Sequence, residues 1–161
     1  MHEQNELYAS KIFFNAALPL LKVIATDVPS LKAKFDKLTT VLQVSALDPE
    51  AEGGKYATHF IITEGEWETK LNAAHEAPDV ELEFKSIEAM NAFFKGKIGP
   101  KTLPKMKGVV KNFSAFTAML MTLLKLSALT GATQPPKDEE TKTLMVKCFF
   151  YLLSSGISQL N

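Results

Sequence analysis

The run from Asp79 to Asn112, DVELEFKSIEAMNAFFKGKIGPKTLPKMKGVVKN, constrains the fold more than any other stretch. Val80, Leu82 and Phe84 alternate with Glu81, Glu83 and Lys85. That period of two assigns the apolar set to a buried face of a strand and the charged set to water. Ser86 follows as a helix N-cap, with Glu88 in the first turn. Ile87, Met90, Phe93, Phe94 and Ile98 then recur at helical spacing as one apolar stripe. Gly96, Gly99 and Pro100 end that helix, Pro104 breaks the chain again, and residues from Met106 to Lys111 are expected to form a short strand. Strand, amphipathic helix, Gly/Pro connector and strand must therefore share one core. No residue in the run has the setting of a catalytic group.

The rest of the chain supplies partners for that core. Leu7, Tyr8, Ile12, Phe13, Phe14, Leu18, Leu21, Val23 and Ile24 make a helical pattern over residues 6–25. Pro19 must kink this helix or start a second one, because it lacks an N–H and clashes one turn back. Pro29 suits the first position of a short helix carrying Leu31, Phe35 and Leu38. Residues 39–47 are rich in β-branched side chains and are expected as a strand, followed by the turn DPEAEGGK. Residues 56–63 form a second strand, Glu64-Gly65 a tight turn, and residues 66–72 a third strand with Trp67, Thr69 and Leu71 on one face. FSAFTAMLMTLLKLSAL (113–129) is a helix that is apolar almost all round, interrupted only by Lys125. It is short for a membrane span, which needs about 20 apolar residues. TGATQPPKDEE links it to a last helix, with Asp138 as cap and Leu144, Met145, Cys148, Phe149, Leu152, Leu153, Ile157 and Leu160 as its apolar set. Residues 1–130 are read as one domain, and 131–161 as a linker and helix that packs on it or on a second protomer.

Composition excludes several kinds of chemistry. A chain of 161 residues suits one domain, and at that size about two-thirds of the unfolded surface is buried, enough for a core without disulfides or metals. All 18 basic residues are lysine. The lack of arginine argues against a nucleic-acid partner and against bidentate recognition of phosphate or carboxylate. Cys148 is alone, so no intrachain disulfide forms, and its apolar neighbours suggest a buried, inert thiol. MHEQNELY lacks the basic and apolar runs of a signal peptide, so a cytoplasmic protein is expected. The sequon Asn112-Phe113-Ser114 is then coincidental. His2, His59 and His75 lack metal-ligand spacing, and Gly53-Gly54-Lys55 and Gly96-Lys97 lack that of a phosphate loop. Glu66/Glu68 and Glu81/Glu83 are expected to be solvated, with nothing to tune them as general acids. No enzyme, cofactor or metal site is expected. What is left to explain is an excess of bulky Met, Phe and Leu between positions 90 and 124. It forms either an ordinary core or a surface that adapts to varied apolar shapes.

The order of these elements resembles the sterol carrier protein type-two domain, the non-specific lipid-transfer family. The pieces that carry the likeness are GGKYATHFII (53–62), DVELEF (79–84), FFKGKIGP (93–100) and KMKGVV (105–110), and it covers about residues 30–128. The helices before it suit stand-alone bacterial members. The family's last strand usually reads Gly-Lys-Leu-Lys-Ile-x-Gly; here Pro104 replaces the first Gly and Gly108 falls inside the strand. Residues 137–161 extend past a minimal domain and end in SQLN, without the Ser-Lys-Leu peroxisomal address of eukaryotic members.

The resemblance implies an α/β (α+β) fold: a five-stranded, mostly antiparallel sheet covered on one face by helices, with an apolar tunnel between and extra N- and C-terminal helices. It implies non-catalytic carriage of a fatty acid, acyl chain, phospholipid or sterol-like lipid; the all-round apolar helix 113–129 is the candidate lid, since such a lid can unlatch in transient contact with a membrane surface. Bulk and inward phase nominate Phe60, Trp67, Leu82, Phe84, Met90, Phe93, Phe94, Met106, Phe113, Phe116, Met119, Leu120 and Leu123 as tunnel walls. The alternatives are a lipid-free interaction module, including a homodimer, or an auxiliary domain serving a partner enzyme in trans.

Overall fold

A computed structural model of the chain describes residues 16–130, 138–141, 143, 144, 146 and 147. The expected helical positions Leu7 to Phe14, and Met145, Cys148 and the residues after it, lie outside this set. Pro19 caps helix α1 (Leu20–Asp27), so it starts a helix where it would break one in the interior. Pro29 opens α2 (Pro29–Phe35), and Leu38 falls just past its end but still packs on the core. Strands β1 (Thr39–Leu47), β2 (Lys55–Thr63) and β3 (Glu66–Lys70) follow as a meander. Glu64 and Gly65 make its second turn at φ 48° and 87°, both left-handed, as a two-residue hairpin requires. A long connection leads to β4 (Val80–Phe84), α3 (Ile87–Phe94), β5 (Lys105–Lys107) and α4 (Phe113–Thr130).

The sheet order is β3-β2-β1-β4-β5. β1 pairs β4 in parallel, and the other three pairings are antiparallel. Among the described residues the helices lie on one side. There α4 touches each of the other three helices and β1. Its buried face carries Ala115, Phe116, Ala118, Met119, Leu123 and Leu126, while Met121 and Leu124 remain exposed. The all-round apolar pattern is therefore only half consumed by the core. Thr122 Oγ1 donates to Ala118 O at 2.7 Å and Ser127 Oγ to Phe93 O at 3.3 Å, so both buried hydroxyls on this face are satisfied.

Three expectations need correction. The helix after Ser86 is capped as expected, with Ser86 Oγ accepting from Ala89 N at 3.0 Å. It stops at Phe94, however, and Gly96 at φ 89° turns the chain away, leaving Ile98 49% exposed and off the stripe. The last strand spans only Lys105–Lys107, not residues 106–111. Gly108 ends it at φ 80°, and a Cβ there would stand 1.9 Å from Asp79 O, so only glycine fits this close backbone approach. The third strand likewise ends at Lys70, which leaves Leu71 exposed.

Candidate functional site

The period of two in β1, β2 and β4 divides the sheet into two faces. On the helix side, Leu42, Val44, Phe60, Leu82 and Phe84 are essentially inaccessible to solvent. α3 supplies Met90, Phe93 and Phe94 because their spacing lies on one side of a helix whose start Ser86 fixes. The Phe84 ring meets Phe93 at 5.4 Å and Phe94 at 6.0 Å, and Phe93 meets Phe94 at 5.1 Å between centroids. These edge-on and tilted contacts fill the space between α3 and β4. At the other end of the sheet Trp67 packs on Phe35 at 4.9 Å and Phe60 at 5.4 Å. Trp67 Nε1 is buried without a hydrogen-bond partner, a polar atom left over in an apolar setting.

Most of the nominated wall residues meet in this one cluster. Phe60, Trp67, Leu82, Phe84, Met90, Phe93, Phe94, Phe116, Met119 and Leu123 are buried in it, and Leu120 packs against its edge. Met106 and Phe113 are not brought in. Met106 pairs with Leu82 but is 37% exposed on the edge strand, and Phe113 at the start of α4 is 64% exposed. The same cluster contains Leu18, Leu21, Ile24, Phe35 and Ile62, which were not nominated as walls. The apolar spacing of residues 18–35 carried that information.

The second face differs from expectation. Glu81 is not solvated: it is 5% exposed, beside fully buried Gln43 and Ser45. Parallel pairing sets Glu81 against Gln43 and Glu83 against Ser45, and antiparallel pairing sets Lys107 against Glu81. Ser45 Oγ donates to Glu81 Oε1 at 2.6 Å and Lys55 Nζ donates to the same oxygen at 2.8 Å. Lys107 Nζ donates to Glu83 Oε2 at 2.8 Å. Burial alone would push the Glu81 carboxyl up. Hydrogen bonds from Lys55 and Ser45, with Gln43 close by, outweigh it and hold Glu81 below the ordinary carboxylate value. Gln43 Nε2 itself closes no hydrogen bond.

The connection from β3 to β4 covers this face. His75 N donates to Gln43 Oε1 at 2.7 Å, and the buried His59 ring holds Ala73 O at 2.6 Å through Nδ1. The two imidazoles meet at 5.1 Å, a contact that their separation along the chain concealed. Ser45 Oγ points to the Glu81 carboxylate and His59 Nδ1 to the Ala73 carbonyl, so these residues form no Ser–His pair. Among the described residues, no group of three or more His, Cys, Asp or Glu could hold a metal ion. No described helix is long and apolar enough to cross a membrane.

Two surface clefts border the helical layer. One of about 250 Å³ lies between the end of α1 and residues 139–147, lined by Val28 and Leu144 among others. The other, of about 380 Å³, lies between α2 and the first turns of α4, lined by Ala33, Lys34, Lys37, Leu38, Ser114 and Thr117.

No protein-family model matches the chain, and no curated protein does. Two solved structures share its architecture. One is a conserved hypothetical protein from Thermus thermophilus, named as a candidate sterol carrier protein. It is 14% identical, with a TM-score of 0.50 over 78% of this chain and 90% of that one. The other is a crystal structure of sterol carrier protein 2, 12% identical, with a TM-score of 0.50 over 74% of this chain and 97% of that one. At these identities the likeness is one of architecture, and it establishes that this chain has the fold of sterol carrier protein 2.

Proposed function

We propose that the protein binds and carries a lipid by its acyl or sterol-like portion, between α3, α4 and the sheet, without catalysing a reaction on it. The observation that carries this reading is the place of the Met- and Phe-rich cluster. Met90, Phe93, Phe94, Phe116 and Met119 lie where the helical layer meets a sheet of the sterol carrier fold. Methionine and phenylalanine side chains repack at low cost around ligands of different shape. The aromatic contacts of Phe84, Phe93 and Phe94 fill this space in the closed form. Lipid entry therefore requires these rings to turn aside and α4 to lift, which lowers the apparent affinity by the fraction of open protein.

Burial of about ten methylenes at ~0.8 kcal/mol each gives about 8 kcal/mol gross. Lost ligand and side-chain freedom removes several kcal/mol, leaving affinity in the micromolar range. Binding of that strength permits release. Native mass spectrometry of the purified chain tests the reading: a stoichiometric lipid adduct, lost on delipidation and restored by a long-chain fatty acid, is expected. Leu120→Trp, at the partly buried edge of the cluster, should cut uptake at least about tenfold by filling the entrance, with the fold retained. A chain that never takes up fatty acid or phospholipid would overturn the proposal.

Met121 at 44% and Leu124 at 42% exposure on the outer side of α4 favour a second reading, a lipid-free module that packs this face on another subunit. A lipid-free dimer in the same spectra is its signature.

A further inference from the structure

The chain is neutral as a whole, but its charge is not evenly spread. Residues 89–137 hold eight of the 18 lysines and none of the 18 acidic residues. The same stretch holds most of the large hydrophobic side chains left exposed among the described residues. Of the large hydrophobic side chains left exposed among the described residues, Ile98, Leu103, Met106, Val110 and Phe113 fall between α3 and the first turn of α4. β5 is the edge strand of the sheet, so the connector before it and the turn after it form one border of the molecule. Val110 is 96% exposed and Phe113 64%, with Lys111 between them.

Lys95, Lys97, Lys101, Lys105 and Lys111 are exposed, and none is ion-paired among the described residues. Lys107 is held by Glu83. Glu83 stands across from Lys105 but is taken up by Lys107, and the Asp79 carboxylate is occupied by Val41 N at 2.7 Å and Thr40 Oγ1 at 3.3 Å. Lys34 and Lys37 add two more cations in the cleft beside Ser114. A border made only for solubility would not combine unpaired lysines with protruding Val and Phe side chains.

We propose that this border, from Lys95 to Phe113, docks on the surface of an anionic phospholipid bilayer. Unpaired lysines are drawn to the negative headgroup layer over about a Debye length. Once there, Val110 and Phe113 enter the boundary between headgroups and acyl chains, as apolar side chains on peripheral proteins do. The absence of any acidic residue in the stretch removes the repulsion that would oppose this approach. Nucleic acid is also polyanionic, but exposed aliphatic side chains and the lack of arginine fit lipid better. The inference rests on the carrier reading for its purpose, since a lipid carrier must meet a membrane; the docking itself is separately measurable.

Vesicle flotation with the full chain tests it, using phosphatidylcholine with and without phosphatidylglycerol. Binding to the anionic vesicles should exceed binding to the neutral ones by at least about tenfold, and ~0.5 M salt should release it. Val110→Asp combined with Lys111→Glu, both at exposed positions, should weaken anionic binding more than about tenfold, whereas Leu71→Asp at the far side of the sheet should not. Equal binding to both vesicles, no binding, equal retention by the double variant, or tighter binding to duplex DNA would each overturn the proposal. Uptake of fatty acid from solution, measured on the same proteins, separates the two readings. Docking without uptake removes the carrier reading and keeps the border; uptake without docking does the reverse.

Discussion

The two faces of the sheet use the same strands and bury their side chains by different physics. Leu42, Leu82 and Phe84 face the helices and are held by apolar contact alone. One residue away in sequence, Gln43, Ser45 and Glu81 are as deeply buried beneath the β3–β4 connection, and there every polar atom needs a partner. The apolar face tolerates rearrangement because dispersion and hydrophobic burial have no direction. The polar face does not, since moving Glu81 away from Lys55 and Ser45 strands a charge in a low dielectric. One face is thus suited to yield to a ligand, and the other to keep the sheet in register while it does.

Truncating the apolar face should have the largest effect. Phe84→Ala removes a fully buried ring shared with Phe93 and Phe94 and is expected to cost about 3–5 kcal/mol in urea unfolding. A loss below about 1 kcal/mol would show that this face is loosely packed already. Next comes Glu81→Ala, which leaves Ser45 and Lys55 without the carboxylate oxygen they share. Because the Lys55 side chain retains 25% exposure, about 2 kcal/mol is expected, below the range for a fully enclosed pair. Adding Lys55→Met to that variant should recover part of the loss. Strictly additive losses would mean that the two charges are not coupled and that the polar face is held by its backbone.

The smallest effect is on pH dependence. Glu81 titrates in the folded state below its ordinary value of 4.5. Its contribution to stability is therefore complete above about pH 4.5 and is lost as the pH falls through the lower folded-state value. Thermal melts between neutral pH and about pH 3 should show a shallower acid loss for Glu81→Gln than for the parent chain. Identical acid slopes would assign the loss to other carboxylates.

The helix-covered face was legible from periodicity alone, because Val80, Leu82 and Phe84, and then Met90, Phe93 and Phe94, follow the spacing of their elements. The strand–helix–strand order and the placement of Ser86, Pro19 and Pro29 were legible for the same local reasons. The second face was not. Alternation marks which side chains oppose the core, but water is only one destination for them. Glu81 is held by a hydroxyl 36 residues away on the parallel strand, Ser45, and its neighbour Gln43 is covered by the β3–β4 connection folding back. His59 and His75 meet for the same non-local reason. The end of β5 was illegible in its register, because Gly108 reads as a weak strand residue until Asp79 O is seen against its Cα.

The central claim is that the apolar face opens to hold a lipid, and the methionines report on it directly. Among the six, Met90 and Met119 are buried in the cluster, while Met106 and Met121 are exposed. Methyl NMR of methionine-labelled protein, titrated with a long-chain fatty acid below its micellar concentration, distinguishes core from surface. Saturable shifts of Met90 and Met119 at one equivalent are the predicted result. Shifts confined to Met106 and Met121, with Met90 and Met119 unmoved at saturation, would contradict it.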